Sequence, residues 1–104
     1  MSFWRKEHRS LKRFSRFVPI RVRILGPEPR NVEGITKDVS ETGVFLYTDV
    51  AVEPGAQVEL AFVMPKEVTL TMDMSVHATG RILRVTKSLE KFGVAVAVDT
   101  FAMD

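Results

Sequence analysis

From Arg16 onward the chain is a succession of short runs that alternate apolar and polar residues, each ended by turn-forming residues. That pattern fits a small all-β domain and little else. In a first segment spanning 17–25, Ile20, Val22 and Ile24 face one way and Arg21 and Arg23 the other. Gly26, Pro27, Glu28 and Pro29 break it, and a loop is expected over 26–31. Further strands are expected over 32–38, 42–48, 57–64 and 92–98, with a long β-compatible stretch over 68–85. Gly80 inside that stretch predicts a bulge or bend of the kind a closing sheet uses. The unbroken apolar run over 92–98 fits a strand covered on both sides or one at a barrel seam. These six segments have the turn spacing of small barrels and sandwiches. No convincing helical period, repeat or low-complexity tract occurs among them.

At 104 residues and 45% hydrophobic, the chain fits one globular domain and is too apolar for a disordered one. No apolar run approaches the roughly 20 residues of a spanning helix, so no membrane span is expected. The N-terminus has positive charge but neither an apolar h-region nor a cleavage site, so a signal peptide is not expected. The absence of cysteine excludes disulfides, thiolate nucleophiles and Cys-ligated metals, and fits a cytoplasmic protein.

Charge is divided along the chain. Residues 1–30 carry nine Lys/Arg against two Glu, whereas residues 31–104 carry six Lys/Arg against eleven Asp/Glu. A basic head on a mildly acidic body points to an anionic partner for the head. We therefore divide the chain into a basic arm, 1–16, and a β domain, 17–104. Projected as a helix, residues 3–18 gather Phe3, Trp4, Leu11, Phe14, Phe17 and Val18 on one arc and six cations on the opposite one. The segment is either a cationic amphipathic helix or a tail whose aromatic residues anchor it to the β domain.

Chemistry-bearing constellations are few. His8 lies among cations, and His77 sits in an alternating strand that turns it to solvent; neither belongs to a cluster with metal-ligand spacing. No G-x-S-x-G elbow or glycine-rich phosphate loop is present, and the acidic residues are scattered singly. The sequence argues against an enzyme and calls for no cofactor. Two short elements remain. Arg9 and Arg13 form an R-x-x-x-R whose planar forks suit phosphate and stack on rings. Asp38, Ser40 and Gly43 form a D-x-S-x-x-G whose acceptor and hydroxyl suit a guanine edge, and whose glycine permits close approach or positive φ. The second element equally describes a turn in which Asp and Ser bond the local backbone.

Together, in this order and this β context, the two elements resemble those of the PilZ domain, a bacterial receptor module for cyclic di-GMP. The resemblance covers essentially the whole chain. It extends through Val44-Phe-Leu, the Pro54-Gly55 turn, Gly80-Arg-Ile-Leu-Arg-Val85 and Phe92-Gly-Val-Ala-Val. It implies a six-stranded antiparallel β-barrel whose N-terminal arm folds over the ligand. It also implies that Arg9, Arg13, Asp38, Ser40 and Gly43 bind cyclic di-GMP, with Arg5 and His8 as further contacts. Many members add a C-terminal helix; here that helix is expected to be short or absent, or replaced as a cover by the segment bearing Phe3, Trp4 and Leu11.

The expected function is that of a cytoplasmic cyclic di-GMP receptor without catalytic activity, signalling to a downstream protein through ordering of its arm. Two rivals come from other classes. Basic residues interleaved with Trp4, Phe14 and Phe17 suit single-stranded nucleic acid, although the acidic-to-neutral strands make nucleic acid the less expected partner. A degenerate PilZ-like module would instead dock its amphipathic head on a protein or anionic lipid.

Overall fold

A computed structural model of the chain describes residues 14–15, 17–69 and 72–103. In chain order the elements are β1 (Phe14–Ser15), β2 (Pro19–Ile24), β3 (Arg30–Val39), β4 (Gly43–Thr48), β5 (Gln57–Met64), the single helical turn α1 (Lys66–Thr69), β6 (Met74–Ser88) and β7 (Lys91–Met103). Alternation explains the strands directly. In β2 and β5 every second residue is buried, so Ile20, Val22, Val58, Leu60, Phe62 and Met64 enter the core while Arg21, Arg23 and Glu59 stay out.

Six strands pair in the order β3-β2-β5-β6-β7-β4, and β4 pairs back to β3. Every pairing is antiparallel, so the sheet closes into the six-stranded barrel that the resemblance implies, and the sandwich that the turn spacing also allowed is not formed. Val32, Val39, Val44, Leu46, Val76, Ile82, Val94 and Val96 complete the interior. Each such side chain stabilises the fold by about 1.5–3 kcal/mol when fully removed from water. Two buried hydroxyls are satisfied: Thr36 Oγ1 accepts from the Val18 amide at 3.0 Å, and Thr48 Oγ1 donates to the Glu33 carbonyl at 2.9 Å.

Gly80 marks the expected irregularity, because the β6–β7 register shifts between Thr79 and Gly80. A side chain there would run into the Ala97 carbonyl, so the close approach of the two backbones requires glycine.

Several boundaries differ from the sequence reading. The stretch 68–85 is not one strand: α1 occupies its start and β6 begins only at Met74. Side chains close the intervening loop, with Asp73 Oδ1 accepting from the Lys66 amide at 2.8 Å and Thr69 Oγ1 donating to the Met72 carbonyl at 2.6 Å. One turn of helix is too short to display a period. β3 starts at Arg30, inside the expected loop, and β7 continues past Val98 to Met103 because Asp99 and Thr100 are exposed and interrupt nothing inside. Among the described residues no helix follows β7. The helical projection of 3–18 fails at Phe14 and Ser15, which are extended and pair with Val39 and Asp38 in β3. Phe17, from the apolar arc, is 75% exposed.

Candidate functional site

The connection from β3 to β4 is a turn held by one side chain. Ser40 Oγ accepts from the Gly43 amide at 3.1 Å and the Thr42 amide at 3.3 Å, and lies 3.2 Å from the Gly43 carbonyl, to which it donates. The backbone repeats the link, since the Ser40 amide donates to the Gly43 carbonyl at 2.8 Å. A hydroxyl has one donor and two acceptor sites, so Ser40 is fully used within the turn. The local-turn reading of the D-x-S-x-x-G is what Ser40 makes here, and the turn stands beside a groove.

That groove, about 420 Å³, runs along the outer wall and is lined by Lys37, Asp38, Ser40, Gly43, Phe45, Arg84 and Ala95, among others. A bulge in β3 between Thr36 and Asp38 shapes one end. Thr36 is fully buried; Lys37 is the extra residue, and Asp38 then stands half-buried on the outer face opposite Phe45. Gly43 opens the other side of the turn. It lacks positive φ, and a methyl there would rest 3.5 Å from the Val96 carbonyl oxygen, an ordinary contact. The fold does not demand glycine at 43, and its lack of a side chain leaves this side of the groove open.

Of the residues singled out from the sequence, Asp38, Ser40 and Gly43 come together at this groove. Arg5, His8, Arg9 and Arg13 lie outside the described residues. The chain that follows Arg13 enters β1, where Ser15 pairs with Asp38, so the R-x-x-x-R leads directly into the D-x-S-x-x-G strand. His77 is exposed on another wall, as its alternation predicts.

Sequence reasoning missed Lys37, Phe45, Arg84 and Ala95. The Phe45 ring meets Tyr47 edge-on at 5.4 Å and lies 6.0 Å from the Lys37 ammonium. The alternation of β4 turns Phe45 and Tyr47 outward together, a signal present in the sequence; the bulges are not. Among the described residues, no group of three His, Asp or Glu could hold a metal ion, and no helix is long and apolar enough to cross a membrane.

Comparison with protein families gives one finding that fits this geometry. A family model described as PilZ domain matches residues 5–101, which takes in both motifs and nearly all of the barrel. No curated protein matches the chain significantly.

Proposed function

This chain belongs to the PilZ domain family, and from that premise we propose that it is a cyclic di-GMP receptor module, one that binds its ligand and does not transform it. The ligand carries two phosphodiester charges and two guanines, so it needs cations, flat surfaces and guanine-edge partners in one place. Arg9 and Arg13 supply bidentate forks for phosphate. Asp38 supplies an acceptor for guanine N–H groups, and Gly43 leaves room for the base. Ser40 holds the turn that presents both, and contributes to binding chiefly in that way.

The observation that supports this reading most directly is the pairing of Ser15 with Asp38, which ties the end of the arginine segment to the acidic motif beside the groove. Arg5 and His8 add charge and stacking further out. Ordering about ten residues of the arm costs on the order of 10 kcal/mol, and the burial of Trp4 and Leu11, at about 1.5–3 kcal/mol each, joins the charge contacts in offsetting it. An arm ordered by ligand then presents a new surface to a downstream cytoplasmic protein.

Calorimetric titration with cyclic di-GMP, beside GMP and a single-stranded oligonucleotide, tests the proposal. Saturable binding of cyclic di-GMP, with GMP and oligonucleotide far weaker, supports it. Tight binding of the oligonucleotide alone favours a nucleic-acid barrel, and binding of none of the three overturns the receptor reading in favour of a degenerate module that docks on protein or anionic lipid.

A further inference from the structure

The strand β6 runs past the end of its neighbour. β5 begins at Gln57, opposite Arg81, and the turn before it caps Ile82: the Gly55 amide donates to the Ile82 carbonyl at 2.7 Å, and the Ile82 amide to the Ala56 carbonyl at 2.9 Å. From Leu83 to Ser88 the strand is paired with β7 alone, and among the described residues no strand flanks its other side. The register shifts between Ile82 and Arg84, so Leu83 is the extra residue of a bulge, and both it and Arg84 are exposed.

The hairpin decides which backbone groups this edge presents. Only Leu89 and Glu90 separate Ser88 from Lys91, and a two-residue hairpin closes on a pair that exchanges both hydrogen bonds. Counting back by alternation, Thr86 bonds β7, while Val85 and Lys87 aim N–H and C=O away from it. Phe92 and Val94, opposite them, turn theirs to β4, in phase with the Val98 amide, which donates to the Thr42 carbonyl at 3.0 Å. Val85 and Lys87 thus line the edge with four backbone groups that have no partner among the described residues.

Arg84 and Lys87 guard this edge against indiscriminate pairing, as charges on free edges do. Two leucines do the opposite: Leu83 is 55% exposed and Leu89 92%. Leu89 also has a φ of 56°, a left-handed conformation that is strained for leucine and free for glycine. A strained and almost fully exposed leucine does nothing for the barrel itself.

We infer that this edge pairs with the same edge of a second copy of the chain, antiparallel about a two-fold axis at Thr86. In that register Val85 stands opposite Lys87 of the second copy, and each such pair exchanges two hydrogen bonds, so all four free groups of each copy are satisfied. No cation meets a cation, because Arg84 faces Ser88 and Lys87 faces Val85. The two Thr86 residues meet in a non-hydrogen-bonded pair, where side chains are closest and threonines pair well. One step past each end, Leu89 comes opposite Leu83 of the second copy, so both exposed leucines are covered. Neighbouring registers lose this match. An axis at Lys87 sets two ammonium groups face to face, and an axis at Val85 sets Leu89 against Arg81, where β5 already sits. The pairing does not depend on the receptor reading.

The test uses the full chain, which has no cysteine of its own. Sedimentation velocity over a concentration series should show wild type in a reversible monomer–dimer equilibrium. Mild oxidation should trap Thr86→Cys as a covalent dimer, since a non-hydrogen-bonded pair has the Cα separation of a disulfide. Ser88→Cys should not be trapped, because its twin lies far along the other strand. Lys87→Pro removes one outward N–H per copy and leaves the β7 ladder whole, as an edge strand tolerates, and should weaken the dimer by about tenfold or more. Leu89→Gly relieves the turn and removes the leucine contact, so it should weaken the dimer by about tenfold while raising the unfolding midpoint of the dilute monomer. A wild-type chain that stays monomeric at millimolar concentration overturns the inference. So does trapping of Ser88→Cys as readily as Thr86→Cys, or a dimer of unchanged strength in Leu89→Gly.

Discussion

The wall built by β2, β5, β6 and β7 holds a cleft of about 610 Å³ lined by Arg21, Arg23, Glu59, His77 and Thr100, among others. The wall that carries the D-x-S-x-x-G turn holds only about 420 Å³. In the larger cleft the row Arg21, Ala61, His77, Ala102 follows plain alternation, and its polar groups partly answer one another. Arg21 Nε is 3.4 Å from Glu33, and the Thr79 and Thr100 hydroxyls are bonded at 2.7 Å. In the smaller groove two charged side chains face outward because the sheet departs from alternation. Volume on a twisted sheet follows from curvature and short side chains. A break in the period records what a wall is built to present.

The largest effect that separates the two walls belongs to the arm. If the proposed function holds, Arg9→Ala/Arg13→Ala should remove two charge-assisted partners of the ligand, each worth about 1.5–3 kcal/mol, or about ten- to a hundredfold in affinity. Arg13→Lys is nearly as poor, because a point charge does not replace the fork. Calorimetry checks both, and wild-type affinity in the double variant would detach the smaller groove from the arm and break the comparison.

Next in size is the turn. Ser40→Ala removes a hydroxyl that bonds two amides and a carbonyl. A net hydrogen bond contributes about 0.5–1.5 kcal/mol, so chemical denaturation should register a loss of about 1–2 kcal/mol. Affinity should fall with it, because Asp38 and Gly43 lose their fixed spacing. Ser40→Thr, which keeps the hydroxyl, should recover most of both. An affinity loss with full stability would instead make Ser40 a direct ligand contact.

Much of this contrast was legible in the sequence. The outward Arg21 and Arg23, the irregularity at Gly80 and the turn character of Asp38 to Gly43 all follow from local chemistry, and β5 matches its expected limits, Gln57–Met64. Phe45 and Arg84 were not legible as site residues, since only cross-strand register makes them neighbours of Asp38. The extra residues Lys37 and Leu83 carry no signal either: nothing in their side chains announces a bulge, and the pairing partner decides where it falls. The missed ends of β3 and β7 have a related cause, because Arg30, Asn31, Asp99 and Thr100 are polar yet sit in strands with their side chains in water.

A smaller effect is expected on the larger cleft. Arg21→Ala/Arg23→Ala should change cyclic di-GMP affinity by less than about twofold and stability by about 0.5 kcal/mol at most, as is usual for exposed pairs. A loss comparable to that of Arg9→Ala/Arg13→Ala would move the ligand to that wall and reverse the comparison.

The smallest effect expected lies beyond both grooves, where Lys91 Nζ meets Asp49 Oδ1 at 2.8 Å on the surface. The hydrogen bond to Asp49, and then its charge, hold the lysine pKa above the ordinary 10.5. Because the folded value is the raised one, folding is favoured by the protonated form, fully so below pH 10.5 and progressively less as the pH rises through the folded value. Both side chains are well over half exposed, so solvent and salt screen the pair. Asp49→Asn should therefore lower the unfolding midpoint at pH 7 by no more than the error of the measurement, and the alkaline destabilisation it removes above pH 10.5 should be equally small. Thermal unfolding of both proteins between pH 6 and pH 11 checks this. A clear loss at pH 7 would mean that the ion pair at the end of β4 helps to hold the wall with the smaller groove in place, and the contrast between the walls would then need an electrostatic part that exposed pairs do not ordinarily supply.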